Sequence, residues 1–121
     1  LFTGRGLTAD QVPAWLGETV RGFWSMSSEP LDSLSDSSGA EALDSWVEEL
    51  LRRNGISAHL YVASHLEILP WLEFEVPDQG WMSQVREAVD SAWLFASAAL
   101  DVVAAVSEQE YFYEFFAARR P

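Results

Sequence analysis

The side chains with chemistry to offer in this chain are two histidines, nineteen acids and a serine-rich run. His59 and His65 are the only imidazoles. A metal site needs three or four ligands in fixed geometry. The local pattern puts His59 in the middle of a strand and His65 in a turn, so the two do not converge, even with Glu67 and Glu73 nearby. They read as a surface and a turn histidine, and no metal or other cofactor is expected. None of the serines lies in a nucleophile elbow or beside a patterned His and Asp. Acid–base catalysis asks for a carboxylate desolvated in a cleft. The pairs Glu48/Glu49, Glu73/Glu75 and Glu108/Glu110 fall on predicted solvent faces. Asp90 and Asp101 are better placed, because they interrupt an apolar run, yet solvent or an arginine such as Arg86 would satisfy either. Gly4 and Gly6 follow no strand and make no phosphate cradle. Since no nucleophile, base and orienting group can be assembled, an enzyme is the least favoured reading.

Charge narrows the choice further. The net charge is −12, and all seven cations are Arg. A field of that sign repels nucleic acid and anionic membrane surfaces and favours basic protein partners. Mimicry of a duplex would need regularly spaced acids, and none are seen. There is no Cys, which excludes disulfides and thiolate chemistry. Hydrophobic residues make up 49% of the chain and six residues are Trp, a globular composition. One domain spanning 1–121 is expected. The chain begins at Leu1, which reads as processing or trimming, and shows no signal-peptide pattern. Residues 88–106 resemble a membrane span, but Asp90 and Asp101 inside the run argue against one. A cytoplasmic protein is expected.

The elements that must position these groups follow from periodicity. Between 78 and 106, Trp81, Val85, Val89, Ala96, Leu100 and Val103 recur at helical spacing, with Trp93, Leu94 and Phe95 widening the stripe. A helix over 79–106, apolar nearly all round, would be buried and about 40 Å long. Before it, Thr8 and Gln11 form a capping box for a helix over 9–25, with Pro13 tolerable near the first turn. Seven of the 15 residues from 25 to 39 are Ser, which reads as a mobile loop. Ser38 and Glu41 form a second box for a helix over 39–54, stopped by Asn54-Gly55. Ser107 and Glu110 form a third, for an aromatic helix over 108–118. Alternating residues over 56–63 and 67–76 give an antiparallel β-hairpin, with Val62 opposite Ile68 and Leu60 opposite Pro70. The predicted fold is α+β: about four helices packed on one hairpin, in the order α-α-β-β-α-α.

Function then rests on surface. The outer face of the hairpin gathers His59, Tyr61, Leu69 and Trp71, rimmed by Glu67, Glu73 and Glu75. An aromatic centre with a charged rim is a common interface design. A lone hairpin also leaves open edges that ask for a partner strand, a second copy or a segment of the same chain. The face is covered either by a partner or internally, by Trp15, Trp24 or the aromatic tail. The expected function is a small acidic protein-binding module: an inhibitor, immunity protein or assembly chaperone, with a basic protein partner or a homodimer through the hairpin. Small acidic chaperones of secreted proteins and the immunity proteins that block bacterial toxins are similar in size, charge and mixed class, and no residue is carried over from them. The alternative is a small-molecule pocket between the long helix and the aromatic segment, using Trp93, Tyr111 and Tyr113.

Overall fold

A computed structural model describes residues 1–25, 28–64, 66–89 and 93–121. Two of the residues weighed above for chemistry, His65 and Asp90, lie outside the described residues, as does Ala92. The chain runs β1 (Phe2–Leu7), α1 (Ala14–Phe23), β2 (Asp32–Ser35), α2 (Ala40–Arg53), β3 (His59–Ala63), β4 (Trp71–Glu75), α3 (Met82–Ala88), β5 (Leu94–Ser97), β6 (Val102–Glu108) and β7 (Phe112–Arg119), with short 3-10 turns at Ala9–Gln11 and Asp36–Ser38. The strands form one seven-stranded antiparallel sheet in the order β1-β4-β3-β5-β6-β7-β2. Three helices and a seven-stranded sheet replace the expected four helices on a hairpin.

The largest correction falls on the expected spine. The described residues of 79–106 hold the short helix α3, then β5 and β6, and not one long helix. The reason is burial on both sides. In β6, Val102, Val103, Ala104, Ala105 and Val106 are all 2% exposed or less. Val102, Ala104 and Val106 pack under α2 and α3, while Val103 packs under α1. A strand covered on both faces reads as a continuous apolar run, and that run imitates a buried helix. The β5–β6 turn is closed by Ser97, whose Oγ accepts the N–H groups of Asp101 and Val102 at 3.1 Å each. The expected helix over 108–118 is likewise a strand: β7 sends Tyr113 and Phe115 to one core and, by alternation, Phe112, Glu114 and Phe116 to the other side. No cap forms at Ser107.

Elsewhere the helices form near their predicted spans but start differently. The Thr8–Gln11 box closes the 3-10 turn Ala9–Gln11 rather than α1, and α2 starts from Gly39 with no side-chain cap, so the Ser38–Glu41 box does not form. Thr8 N–H donates to Gln11 Oε1 at 2.9 Å, and α1 begins just after Pro13. Helix α2 occupies nearly the span predicted and ends at Asn54, before Gly55 with φ +84°. Its Leu43, Val47, Leu50 and Leu51 join Met82 and Val85 of α3 over Leu60, Val62, Leu72, Phe74, Phe95 and Phe115 of the sheet. On the opposite face Leu16 of α1 packs with Trp71, Ala96 and Val103. The molecule is therefore a sheet between two helical layers.

The hairpin exists in another register. Leu60 pairs with Phe74 and Val62 with Leu72, so β4 slides four residues from the expected match. An even slide keeps the same side chains on the same face, and Leu60, Leu72 and Ile56 are buried as expected. Ile68 is not; it stands 86% exposed in the connecting loop. Ser64 ties that loop, its N–H donating to the Pro70 carbonyl and its Oγ to the Leu69 carbonyl, both at 2.7 Å. Both edges of the hairpin are filled from within the chain, by β1 beside β4 and β5 beside β3. No open edge remains on it for a second copy.

Candidate functional site

The residues expected to form a docking face are split by α1. Trp71, the expected centre, is 8% exposed and sealed inside its own chain. Tyr61 and Leu69 are half-buried, Tyr61 against the α1 cluster that also holds Trp15. Internal cover is thus the outcome for the aromatic centre, and α1 supplies it. Three polar residues of the face, His59, Glu73 and Glu75, are paired, and Glu67 is exposed. His59 Nε2 lies 2.6 Å from Glu75 Oε1 across the β3–β4 ladder. Arg5, on the neighbouring β1, reaches Glu73 Oε1 with Nη2 at 2.6 Å and Nε at 3.1 Å. That contact holds the Glu73 carboxyl below the ordinary glutamate range and raises the Arg5 guanidinium. What remains is a corner of the sheet whose Glu73 is paired with Arg5 and whose Glu75 is hydrogen-bonded to His59.

The alternative trio does not converge. Trp93 and Tyr113 meet with ring centroids 6.1 Å apart, at the margin of the core beneath α2 and α3. Tyr111 stands 68% exposed at the turn after β6. Asp101, weighed as an acid on a buried helix, is a turn residue: Ser97 Oγ donates to its Oδ1 at 2.6 Å and holds its carboxyl below the usual range. Arg86 pairs instead with Asp44 at 2.8 Å, between α3 and α2. Burial pushes the Asp44 carboxyl up, with Arg86 opposing.

One carboxylate escapes any reading of the sequence. Glu48, expected on the solvent face of α2, is buried, and it accepts the N–H groups of Gly80 (2.7 Å), Trp81 (3.0 Å) and Met82 (2.9 Å). These are the free amides at the start of α3, which an anion satisfies. Nothing near Glu48 in sequence signals this, because its partners are supplied by a distant loop. The neighbouring trough of about 450 Å³, lined by Ser45, Glu49, Arg52 and Gln79 among others, is polar. Its carboxylates are engaged, Glu49 by Arg52 and Arg53 and Glu48 by the amides. Among the described residues no group of three or more metal-ligating side chains gathers, and no helix is long and apolar enough to cross a membrane.

A different cleft, of about 380 Å³, opens where α1 ends over β6 and β7. Its walls are Phe23, Trp24, Ser25 and Ser28; its floor is Ser107, Gln109, Glu114 and Phe116. Phe116 is buried beneath Phe23, stacked at 5.6 Å, and makes an edge-to-face contact with Trp24 at 6.2 Å. Beyond α1, the sheet face of β7 and β2 is bare. Phe112 is exposed there, with Tyr111 at the adjoining turn and Leu31 just ahead of β2. Leu31 N–H donates to the Phe115 carbonyl, and Asp36 N–H to that of Tyr111, so Leu31 and Tyr111 flank opposite ends of β2 along one margin of the sheet. No protein-family model, curated protein or solved structure matches this chain. The cleft is therefore judged on its own chemistry: a rigid aromatic wall, hydroxyl and amide groups, and a carboxylate. The sequence does hold a signal for it, the Phe23-Trp24 pair that closes a helix just before a serine-rich stretch. That pair reads equally well as core.

Proposed function

We propose that this chain is a small acidic protein-binding module that receives a basic partner on the bare β7–β2 face and the adjoining end of α1. The observation that carries the reading is the row of exposed Trp24, Leu31, Phe112 and Tyr111 along the β7–β2 margin of the sheet. Monomeric proteins seldom leave aromatic side chains so aligned without a use. Acids accompany them in sequence, Glu29, Asp32 and Asp36 around β2 and Glu108, Glu110 and Glu114 around β7. By register Glu114 shares the face of Phe112, while Asp32 and Glu108, opposite Phe115 and Tyr113, stand on the other. An apolar centre with a charged rim steers an oppositely charged partner and then excludes water from the contact. The reading keeps the class of function drawn from the sequence and moves its site off Trp71. Inhibitor, immunity protein and assembly chaperone all fit such a surface, and a cytoplasmic setting is part of the proposal.

The test is capture from the source cell with three forms of the protein. Wild type and an Arg5→Ala/Glu75→Ala variant should retain the same partner, while Tyr111→Ser/Phe112→Ser should lose it with an unchanged circular-dichroism spectrum. An unchanged capture profile for the Tyr111/Phe112 variant refutes the reading.

The volume of the cleft supports a second reading, a small-ligand site, since ligand pockets start at about 300 Å³. A ligand bound there raises Tm by an amount that grows with the logarithm of its concentration above Kd. That response should vanish in Trp24→Ala and persist in Tyr111→Ser/Phe112→Ser.

A further inference from the structure

Half of the surface of Trp24 is open to solvent, and the rest of the ring has a buried neighbour. Phe116 meets it edge-to-face, with ring centroids 6.2 Å apart and an interplanar angle of 76°. The backbone after it turns back on the helix end, with Ser25 N–H donating to the Gly22 carbonyl and Ser28 N–H to the Ser25 carbonyl, both at 3.1 Å. The Ser28 hydroxyl also donates to the Gly22 carbonyl. A ring backed by a buried aromatic and open on the rest of its surface offers a contact that needs little rearrangement on binding.

The charge beside it is equally one-sided. Glu114 is half-buried in the floor of the cleft, and among the described residues none of the ion pairs involves it. No arginine lines the cleft. Arg21, one turn back on α1, folds the other way, its Nη1 lying 3.5 Å from where a Cβ on Gly17 would stand. Gln109, whose amide donates to Ser107 Oγ at 2.6 Å, keeps its own carbonyl oxygen as a further acceptor. Acceptors and a π face therefore converge with no resident cation.

We infer that this cleft is a receptor for one cationic side chain of the partner, an arginine above all, whose guanidinium stacks on Trp24 and donates to the Glu114 carboxylate. The inference rests on the protein-binding reading and names the chemistry of the partner's anchoring residue. Indole is the best of the aromatic faces for a cation. A planar guanidinium can stack and fork onto a carboxylate at once, which an ammonium cannot. The bare β7–β2 face then receives the apolar residues that flank the arginine.

The test uses the whole protein, labelled with ¹⁵N, and two probes: N-acetyl-arginine amide and its neutral isostere N-acetyl-citrulline amide. Trp24→Phe identifies the Trp24 indole N–H signal among the others. At low salt the arginine probe should shift that signal and the Gln109 side-chain amide, and the citrulline probe should not. Glu114→Gln should weaken the arginine probe about fivefold, and Trp24→Ala should weaken it about fivefold or more. The inference is overturned by equal shifts from both probes, by an unweakened Glu114→Gln, or by no shift up to about 50 mM, where even a Kd of that size half-fills the site. Loss of the arginine response with intact capture of a partner through Tyr111 and Phe112 rejects this inference alone. An intact arginine response without any such partner rejects the protein-binding reading instead.

Discussion

Glu48 holds the start of α3 in place, and its removal gives the sharpest test of the fold. Three amides converge on its carboxylate, those of Trp81 and Met82 on Oε2 and that of Gly80 on Oε1. Trp81 and Met82 are buried, whereas Gly80 is exposed. In Glu48→Ala the Gly80 amide turns to water at little cost. The two buried donors lose their acceptor at about 1–3 kcal/mol each. Water entering from the hollow of about 90 Å³ between Glu48 and Trp81 recovers part of this. The net loss should be about 2–4 kcal/mol, the two unsatisfied donors less what water recovers. That is a large share of the ~5–15 kcal/mol holding a domain of this kind together. Glu48→Gln keeps one carbonyl oxygen for the two buried amides and turns its NH₂ toward Gly80, so it should lose only about 1–2 kcal/mol. Urea melts read both numbers, and hydrogen exchange at Met82 reads the local loosening directly. A loss below about 1 kcal/mol in Glu48→Ala, or a larger loss in Glu48→Gln than in Glu48→Ala, refutes the account of how α3 is anchored.

Other positions give independent tests. A Cβ on Gly6 would press on the Trp71 carbonyl and come within 2.8 Å of Leu69 Cγ, so Gly6→Ala should push β1 off β4 and cost about 1–3 kcal/mol in a urea melt. Ala58 is exposed with φ +62°, where an L side chain is strained, and Ala58→Gly should gain about 0.5–1 kcal/mol, seen as a higher Tm. The folded Glu73 carboxyl titrates below its ordinary value of 4.5 because Arg5 donates to it. The unfolded chain therefore binds more protons between those two values, and stability rises with pH across that window. The contribution is fully present above 4.5 and lost on acidification through the depressed value. Arg5→Gln should return the Glu73 carboxyl, followed by NMR, toward 4.5 and flatten that limb of the stability curve.

How far the sequence discloses the fold depends on whether an element has one wet face. Helix α2 has one: Glu49, Arg52 and Arg53 face water opposite Leu43, Val47 and Leu51, and Gly55 ends it. β3 and β4 also alternate, so their buried faces are legible even with the register four residues out. The register escapes because Ser64, a single hydroxyl, closes a longer loop than a tight turn needs. β5 and β6 have no wet face, and alanine and valine at successive positions satisfy a helical template as well as a strand. Trp71 misleads for the same reason, since the outer face of β4 is outer only until α1 is laid across it. The cleft beside Trp24 depends on how far α1 reaches over β7, a tertiary fact that no residue spacing encodes.

The two outermost strands come from the first part of the chain, while the five between them run in the last part. β1 joins β4, and Leu34 of β2 joins Tyr113 of β7. During synthesis the early segment therefore leaves the ribosome with nothing to pair to, and β2 waits until β7 has emerged. Such late, long-range closure slows folding, and until it happens the flank of β7 with Phe112 and Phe116 stays available to other nascent chains. The short, serine- and aspartate-rich make-up of β2 suits that wait, because a segment so polar stays hydrated and unattached until its strand is ready.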